Sequence, residues 1–125
     1  DYVVMAEMIR QLKEQGISTS IDDFGTGYSS LNMLKMTTID LLKIDRSFIP
    51  REEDYPNKKK DCIMFENIAN LAKSLGYKVV VEGVETQNQF DYLKAVGCDI
   101  VQGYFFDQPL SVDKFLKRVA IGTYQ

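Results

Sequence analysis

The chain contains no histidine. That excludes histidine-based acid–base catalysis and Ser-His-Asp hydrolysis within these 125 residues. Its two cysteines, Cys62 and Cys98, lack a CxxC spacing. They read as small core residues in a reducing compartment, not as a disulfide or a zinc site. No apolar run is long enough to span a membrane, and no targeting segment is visible. A cytoplasmic location is expected, with any membrane anchor lying upstream. The net charge of −3 supplies no basic surface, so a nucleic acid polymer is not an expected partner. The basic run Lys58-Lys59-Lys60 is flanked by Glu52, Glu53, Asp54 and Asp61 and reads as a solvated loop.

What is present is a rhythm. Four short apolar runs each end in a polar residue that the run does not explain: Asp22-Asp23, Lys43 (with Asp45), Glu82 and Gln102. Each is followed by a turn and a helix-like stretch, the pattern of repeated βα units on a parallel sheet. Residues 3–15 carry Val4, Met5, Met8, Ile9 and Leu12 at helical spacing, and Gly16 stops them. The expected strands are 17–21, 41–44, 79–81 and one beginning at Ile100-Val101. Val79-Val80-Val81 does not alternate, which suits a strand covered on both faces. Ser29-Ser30 is expected to cap a short helix. Asp61 is expected to cap a long one whose apolar face is Ile63, Met64, Ile68, Leu71, Ala72 and Leu75. Thr86 with Gln89 forms a capping box for a helix that Gly97 closes. Ser111 caps the last helix, which carries Phe115, Leu116 and Val119 on its apolar face. All three prolines fall in the expected loops.

In parallel sheets ligands collect at the carboxyl ends of the strands. Acid, base and amide groups at four consecutive strand ends therefore look like one side of an active-site rim. Each group alone has an ordinary use. Asp22 and Asp23 could hold Mg²⁺ or Mn²⁺, or close the loop as a cap or Asx-turn. Lys43 could stabilise phosphate charge, or form an ion pair with Asp45 or Asp22. Glu82 could serve a metal, or pair with Lys43. Gln102 could reach a ligand or close a backbone bond. Tyr104-Phe105-Phe106 could stack a base, although helix packing is the commoner use of such a run. The coincidence of the four at one end of the sheet carries the argument.

The segments Asp22-Asp23-Phe24-Gly25-Thr26-Gly27-Tyr28-Ser29-Ser30-Leu31, Lys43-Ile44-Asp45-Arg46-Ser47-Phe48, Glu82-Gly83-Val84-Glu85-Thr86 and Gln102-Gly103-Tyr104 resemble, in order, the EAL domain of bacterial cyclic di-GMP phosphodiesterases. The resemblance covers nearly the whole chain and matches the carboxyl-terminal half of that domain. It implies an α/β fold, a TIM-type βα barrel present here as a half barrel of about four βα units. It also implies a two-metal phosphodiesterase that linearises cyclic di-GMP to pGpG with Mg²⁺ or Mn²⁺. By similarity Asp22 and Asp23 are metal ligands, and Lys43 holds the attacking water and stabilises charge. Glu82 sits near metal and water, and Gln102 orients water or substrate. Phe106 and Pro109 are candidate substrate contacts. Phe24, Gly25, Thr26, Gly27 and Tyr28 form a loop that supports the site and dimerisation.

Two departures accompany the resemblance. The amino-terminal half, with the Glu-Ala-Leu motif and further ligands, is not in the sequence, so the chain reads as a piece of a longer, inactive-alone enzyme. Sensory or GGDEF-type domains could precede it in the parent. Asp107-Gln108-Pro109 also stands where a basic residue often precedes the proline. A half barrel would leave an apolar sheet face uncovered, including Val80 and Ile100, so self-association as a homo-oligomer is expected. The other class of reading is an EAL-like receptor or scaffold that has lost metal ligands; every functional position in this half is intact.

Overall fold

The computed structural model describes residues 2–24, 30–55 and 59–122. Four parallel strands, β1 (Ser20–Phe24), β2 (Leu41–Ile44), β3 (Lys78–Glu82) and β4 (Ile100–Gln102), lie in the order β1-β2-β3-β4. Helices α1 (Tyr2–Glu14), α2 (Ser30–Met36), α3 (Lys60–Ser74), α4 (Gln87–Val96) and α5 (Val112–Ile121) alternate with them. Parallel neighbours need such crossover helices, and the four units make a partial barrel.

The helix-facing side of the sheet is the core. Leu42 and Ile44 of β2 and Val79 and Val81 of β3 are fully buried, alternating with the partly buried Lys43 and Glu82 on the opposite side. Helix α3 packs there through Cys62, Phe65, Ala69 and Ala72. This differs from the face expected from sequence. Ile63, Met64, Leu71 and Leu75 are exposed, because the cysteine and two alanines present the smaller side chains that let the helix lie close to the sheet. Of the expected face only Ala72 is buried, with Ile68 packed beside the core. Nor does Asp61 cap α3. Lys59 occupies that position without a side-chain bond, and Asp61 falls in the first turn, where its charge suits the helix dipole.

Other signals are realised as read. Thr86 and Gln89 form a reciprocal capping box, and Ser111 accepts from the Lys114 amide. The amides of Gly97 and Cys98 return to the carbonyls of Lys94 and Leu93, closing α4. The Ser29 half of the expected Ser29-Ser30 cap lies outside the described residues. A repeated device ties the amino ends of the strands. Asp40, before β2, accepts the Thr19 amide at 2.9 Å, and Asp99, before β4, accepts the Val79 amide at 2.9 Å.

The segment between β2 and α3 is more than a solvated loop. Glu52–Asp54 form a short 3₁₀ turn, and Tyr55 stacks on Tyr92 of α4 with ring centroids 4.1 Å apart. Thr86 and Asn88, at the start of α4, donate to the Glu52 carboxylate. Asp54 is buried and meets Lys59 at 2.9 Å. Residues 56–58 lie outside the description.

At the other end of the sheet, Gly103 follows β4 where the backbone of Val84 crosses it. A Cβ there would stand 2.1 Å from the Val84 carbonyl oxygen. The close approach lets the Val84 amide donate to Gln102 at 3.1 Å and the Phe105 amide to Val84 at 3.0 Å.

The inner side of the sheet is less apolar than expected. Val80 is 8% exposed, and Lys43, Lys78 and Glu82 interrupt the surface; Ile100, at 45%, is the apolar group left open. The apolar face of α5 packs on little: Phe115, Leu116 and Val119 are all more than half exposed. A contrast follows. Leu42→Ala should cost about 2–5 kcal/mol through its cavity, whereas Leu116→Ala should stay within about 0.5 kcal/mol. Urea unfolding midpoints at unchanged slope would measure both.

Candidate active site

The polar rim is built by a mismatch between β1 and β2. Ile21 pairs with Leu42 and Phe24 with Ile44, so Asp22 and Asp23 together oppose Lys43. This is a β-bulge, in which two residues face one and the bulged strand re-aims its side chains. Asp23 takes the positive φ of 53°, a conformation that aspartate tolerates better than most residues. Ile21 and Phe24 are both buried while Asp22 and Asp23 are both exposed. A regular strand would have sent the two aspartates to opposite faces. The sequence reading placed them beyond the strand end, with β1 at 17–21. In the structure β1 begins at Ser20 and runs through both.

Lys43 pairs with Val80 in register, and Glu82 lies two residues further along the same face of β3. The Lys43 ammonium accordingly stands 3.2 Å from Glu82 and 3.9 Å from Asp22, with Lys43 and Glu82 both about three-quarters buried. The hydrogen bond to Glu82 holds the Lys43 pKa above its ordinary value, against the opposing effect of burial. Lys43 is therefore a fixed cation at neutral pH, not a base. Asp45 is occupied elsewhere: it accepts from the Ser47 amide at 2.9 Å and from the Ser47 hydroxyl, which holds its carboxyl below the usual range. Of the ion pairs open to Lys43 in the sequence, those with Glu82 and Asp22 form.

Asp22, Asp23 and Glu82 can each turn an oxygen into a cluster whose members lie within 4.8 Å of one another. One ammonium cannot balance three carboxylates. Repulsion from Asp22 is the largest cause of the raised pKa of Asp23. Hard oxygen donors at this spacing fit a divalent cation such as Mg²⁺ or Mn²⁺. Two of them are exposed, which leaves positions for water or further ligands.

Glu82 pairs in register with Gln102, at the end of β4. Gln102 lines two clefts. One, of about 280 Å³, is shared with Arg46, Glu82, Glu85 and Tyr104. The other, of about 550 Å³, is shared with Tyr104, Phe106 and Pro109. The structure thus brings the candidate substrate contacts Phe106 and Pro109 beside Gln102. Phe105 instead turns to the core and packs on Phe90. Asp107 holds α5: the Arg118 guanidinium lies 2.9 and 2.8 Å from its two oxygens. Of the expected supporting loop, Phe24 is a core residue, and Gly25, Thr26, Gly27 and Tyr28 lie outside the described residues.

The model of the EAL domain matches residues 2–109. The chain belongs to the EAL domain family. It is 45% identical over 113 residues to the cyclic di-GMP phosphodiesterase NbdA of Pseudomonas aeruginosa, covering 88% of this chain and 14% of that protein. An EAL domain protein of Listeria monocytogenes EGD-e superposes with a TM-score of 0.87 at 37% identity, covering 97% of this chain and 48% of that one. PaMucR phosphodiesterase in its c-di-GMP complex superposes at 0.80 with 37% identity, covering 92% and 50%. The chain thus spans about half of these solved EAL chains and a smaller part of NbdA. Its four strands form a partial TIM-like barrel, and it is homologous to cyclic di-GMP phosphodiesterases. Among the described residues, no helix is long and apolar enough to cross a membrane.

Arg46 and Glu85 were not singled out from the sequence, and both line the cleft beside Glu82 and Gln102. Their signal was available: both lie in the segments that carry the family resemblance, 43–48 and 82–86.

Because the Asp23 pKa is raised, the fold penalises the charged carboxylate. Its contribution to stability is greatest below the ordinary carboxylate pKa and is lost as pH rises through the raised value. A divalent cation needs the charged form, so its affinity should begin to fall, on acidification, at a higher pH than an ordinary aspartate would give. Asp22→Asn should move that inflection to lower pH while weakening binding overall. Mn²⁺ titrations at several pH values would read both changes.

Proposed function

We propose that this chain is the carboxyl-terminal part of a metal-dependent phosphodiesterase domain that hydrolyses cyclic di-GMP to linear pGpG. The observation that carries the reading is the cluster of Asp22, Asp23 and Glu82 against Lys43, at the strand ends where barrel enzymes place their chemistry. The homology to NbdA supports the substrate.

Asp22 and Asp23 are assigned to the cation site, with Mg²⁺ or Mn²⁺ held as a pair once the rest of the barrel supplies its ligands. Bound there, such ions would supply charge stabilisation to the phosphodiester under attack. Lys43 donates hydrogen bonds to the attacking water or a phosphate oxygen, since its ion pair keeps it protonated. Glu82 holds Lys43 in place and is the carboxylate positioned to accept the water's proton. Gln102 orients water or substrate from β4. Phe106 and Pro109 offer apolar surface to a base. Water gives up a proton and adds to phosphorus while one P–O ester bond breaks; the departing ribose oxygen takes up a proton to become a hydroxyl, and the opened ring keeps a terminal phosphate.

The 125 residues alone should show no sustained turnover, since the acidic cluster is one side of a rim. Extended by about 120 residues to a complete barrel, the domain should convert cyclic di-GMP to pGpG with Mg²⁺ or Mn²⁺. Asp22→Asn should cut kcat by at least about 100-fold, within the range that single electrostatic groups contribute. An inactive completed domain that still binds the nucleotide in the variant would instead make it a receptor.

Self-association belongs to the same proposal. Open edges at β1 and β4 and the exposed apolar face of α5 favour a homo-oligomer. Light scattering at micromolar concentration should give a mass above the 14.3 kDa of one chain; a 14.3 kDa species would contradict it.

A further inference from the structure

The cleft shared by Glu82 and Gln102 poses a charge problem that the residues assigned so far do not solve. Glu82 and Glu85 face it, and a cyclic dinucleotide brings two phosphodiester anions to it. Lys43 is held between Glu82 and Asp22. Among the residues lining this cleft of about 280 Å³, Arg46 is the one cation.

Arg46 is fixed at its base and loose at its head. It opens the 3₁₀ turn Arg46–Phe48, which Asp45 caps through the Ser47 amide. Its stem lies across Gly83, whose φ is 82°; a Cβ on Gly83 would come within 2.7 Å of the Arg46 Cβ. The guanidinium stands 3.8 Å from Glu85, too far for a hydrogen bond, and the two side chains are 68% and 52% exposed. An exposed pair at that distance contributes little, so releasing Arg46 from Glu85 costs little. A guanidinium presents a planar fork that meets two phosphate oxygens at once.

We infer that Arg46 is a substrate-binding residue, which leaves Glu85 and takes a phosphate of the cyclic dinucleotide that is not the one under attack. The assignment rests on the phosphodiesterase reading. It gives Arg46 a role in affinity and none in the chemical step.

The test uses the completed EAL domain and cyclic di-GMP with Mn²⁺. Arg46→Ala should raise KM about tenfold and leave kcat within about threefold, the signature of binding made equally in ground and transition states. Arg46→Lys should recover part of the loss, and kcat/KM of Arg46→Ala should depend less on salt than that of the unsubstituted enzyme. Mn²⁺ affinity should not change. Arg46→Gln keeps the stem over Gly83 and should match the alanine variant, which separates charge from packing. An unchanged KM in Arg46→Ala, or full activity in Arg46→Gln, would overturn the assignment while leaving the enzyme reading intact. No turnover by the unsubstituted domain would remove the enzyme reading and this assignment with it.

Discussion

The structure depends on one geometric accident of the sheet, the extra residue in β1 opposite Lys43. A regular strand would put one aspartate on the rim and drive the other toward the core formed by Ile21, Phe24, Leu42 and Ile44. A buried, unpaired carboxylate costs several kcal/mol or loses its charge. The bulge removes that conflict by turning both aspartates outward and confining the strain to Asp23. The outcome is a surplus of negative charge at the carboxyl end of the sheet, anchored by a single ammonium. A divalent cation bound there would offset that surplus.

The surroundings hold this arrangement still. Lys43 and Glu82 lie on adjacent parallel strands, so their approach follows from register and not from loop conformation. Gly103 allows the chain after β4 to press against Val84, which fixes Gln102 beside Glu82. The segment carrying Glu52 and Tyr55 docks on α4 and steadies the helix that follows Glu82. In the Asp107-Gln108-Pro109 segment, which lacks the basic residue that often precedes the proline in the family, Asp107 anchors α5 through Arg118.

Much of this was legible in the sequence because it is local. The Thr86–Gln89 box, the glycine stops and the unalternating Val79-Val80-Val81 run declare themselves within a few residues. The polar strand ends were legible as a coincidence, and Lys43, Glu82 and Gln102 do adjoin. The bulge was not legible, because it is a relation between two strands: nothing in Ile21-Asp22-Asp23-Phe24 says where β2 will pair. The face of α3 was misread for a related reason. Hydrophobicity favours Ile63, Met64 and Leu71, but the sheet selects the row that fits closest, Cys62, Phe65, Ala69 and Ala72. The docking of Tyr55 on Tyr92 spans 37 positions and leaves no local trace.

The central claim is that the bulged aspartates form a cation site beside the Lys43–Glu82 pair. A crystal structure of the completed domain grown with Mn²⁺, read by anomalous scattering, tests it most directly. The account predicts an anomalous peak within direct coordination distance of carboxylate oxygens of Asp22 and Asp23, with Lys43 still within reach of Glu82. An empty cluster with Mn²⁺ bound elsewhere, or aspartates on opposite faces of a regular β1, would contradict it.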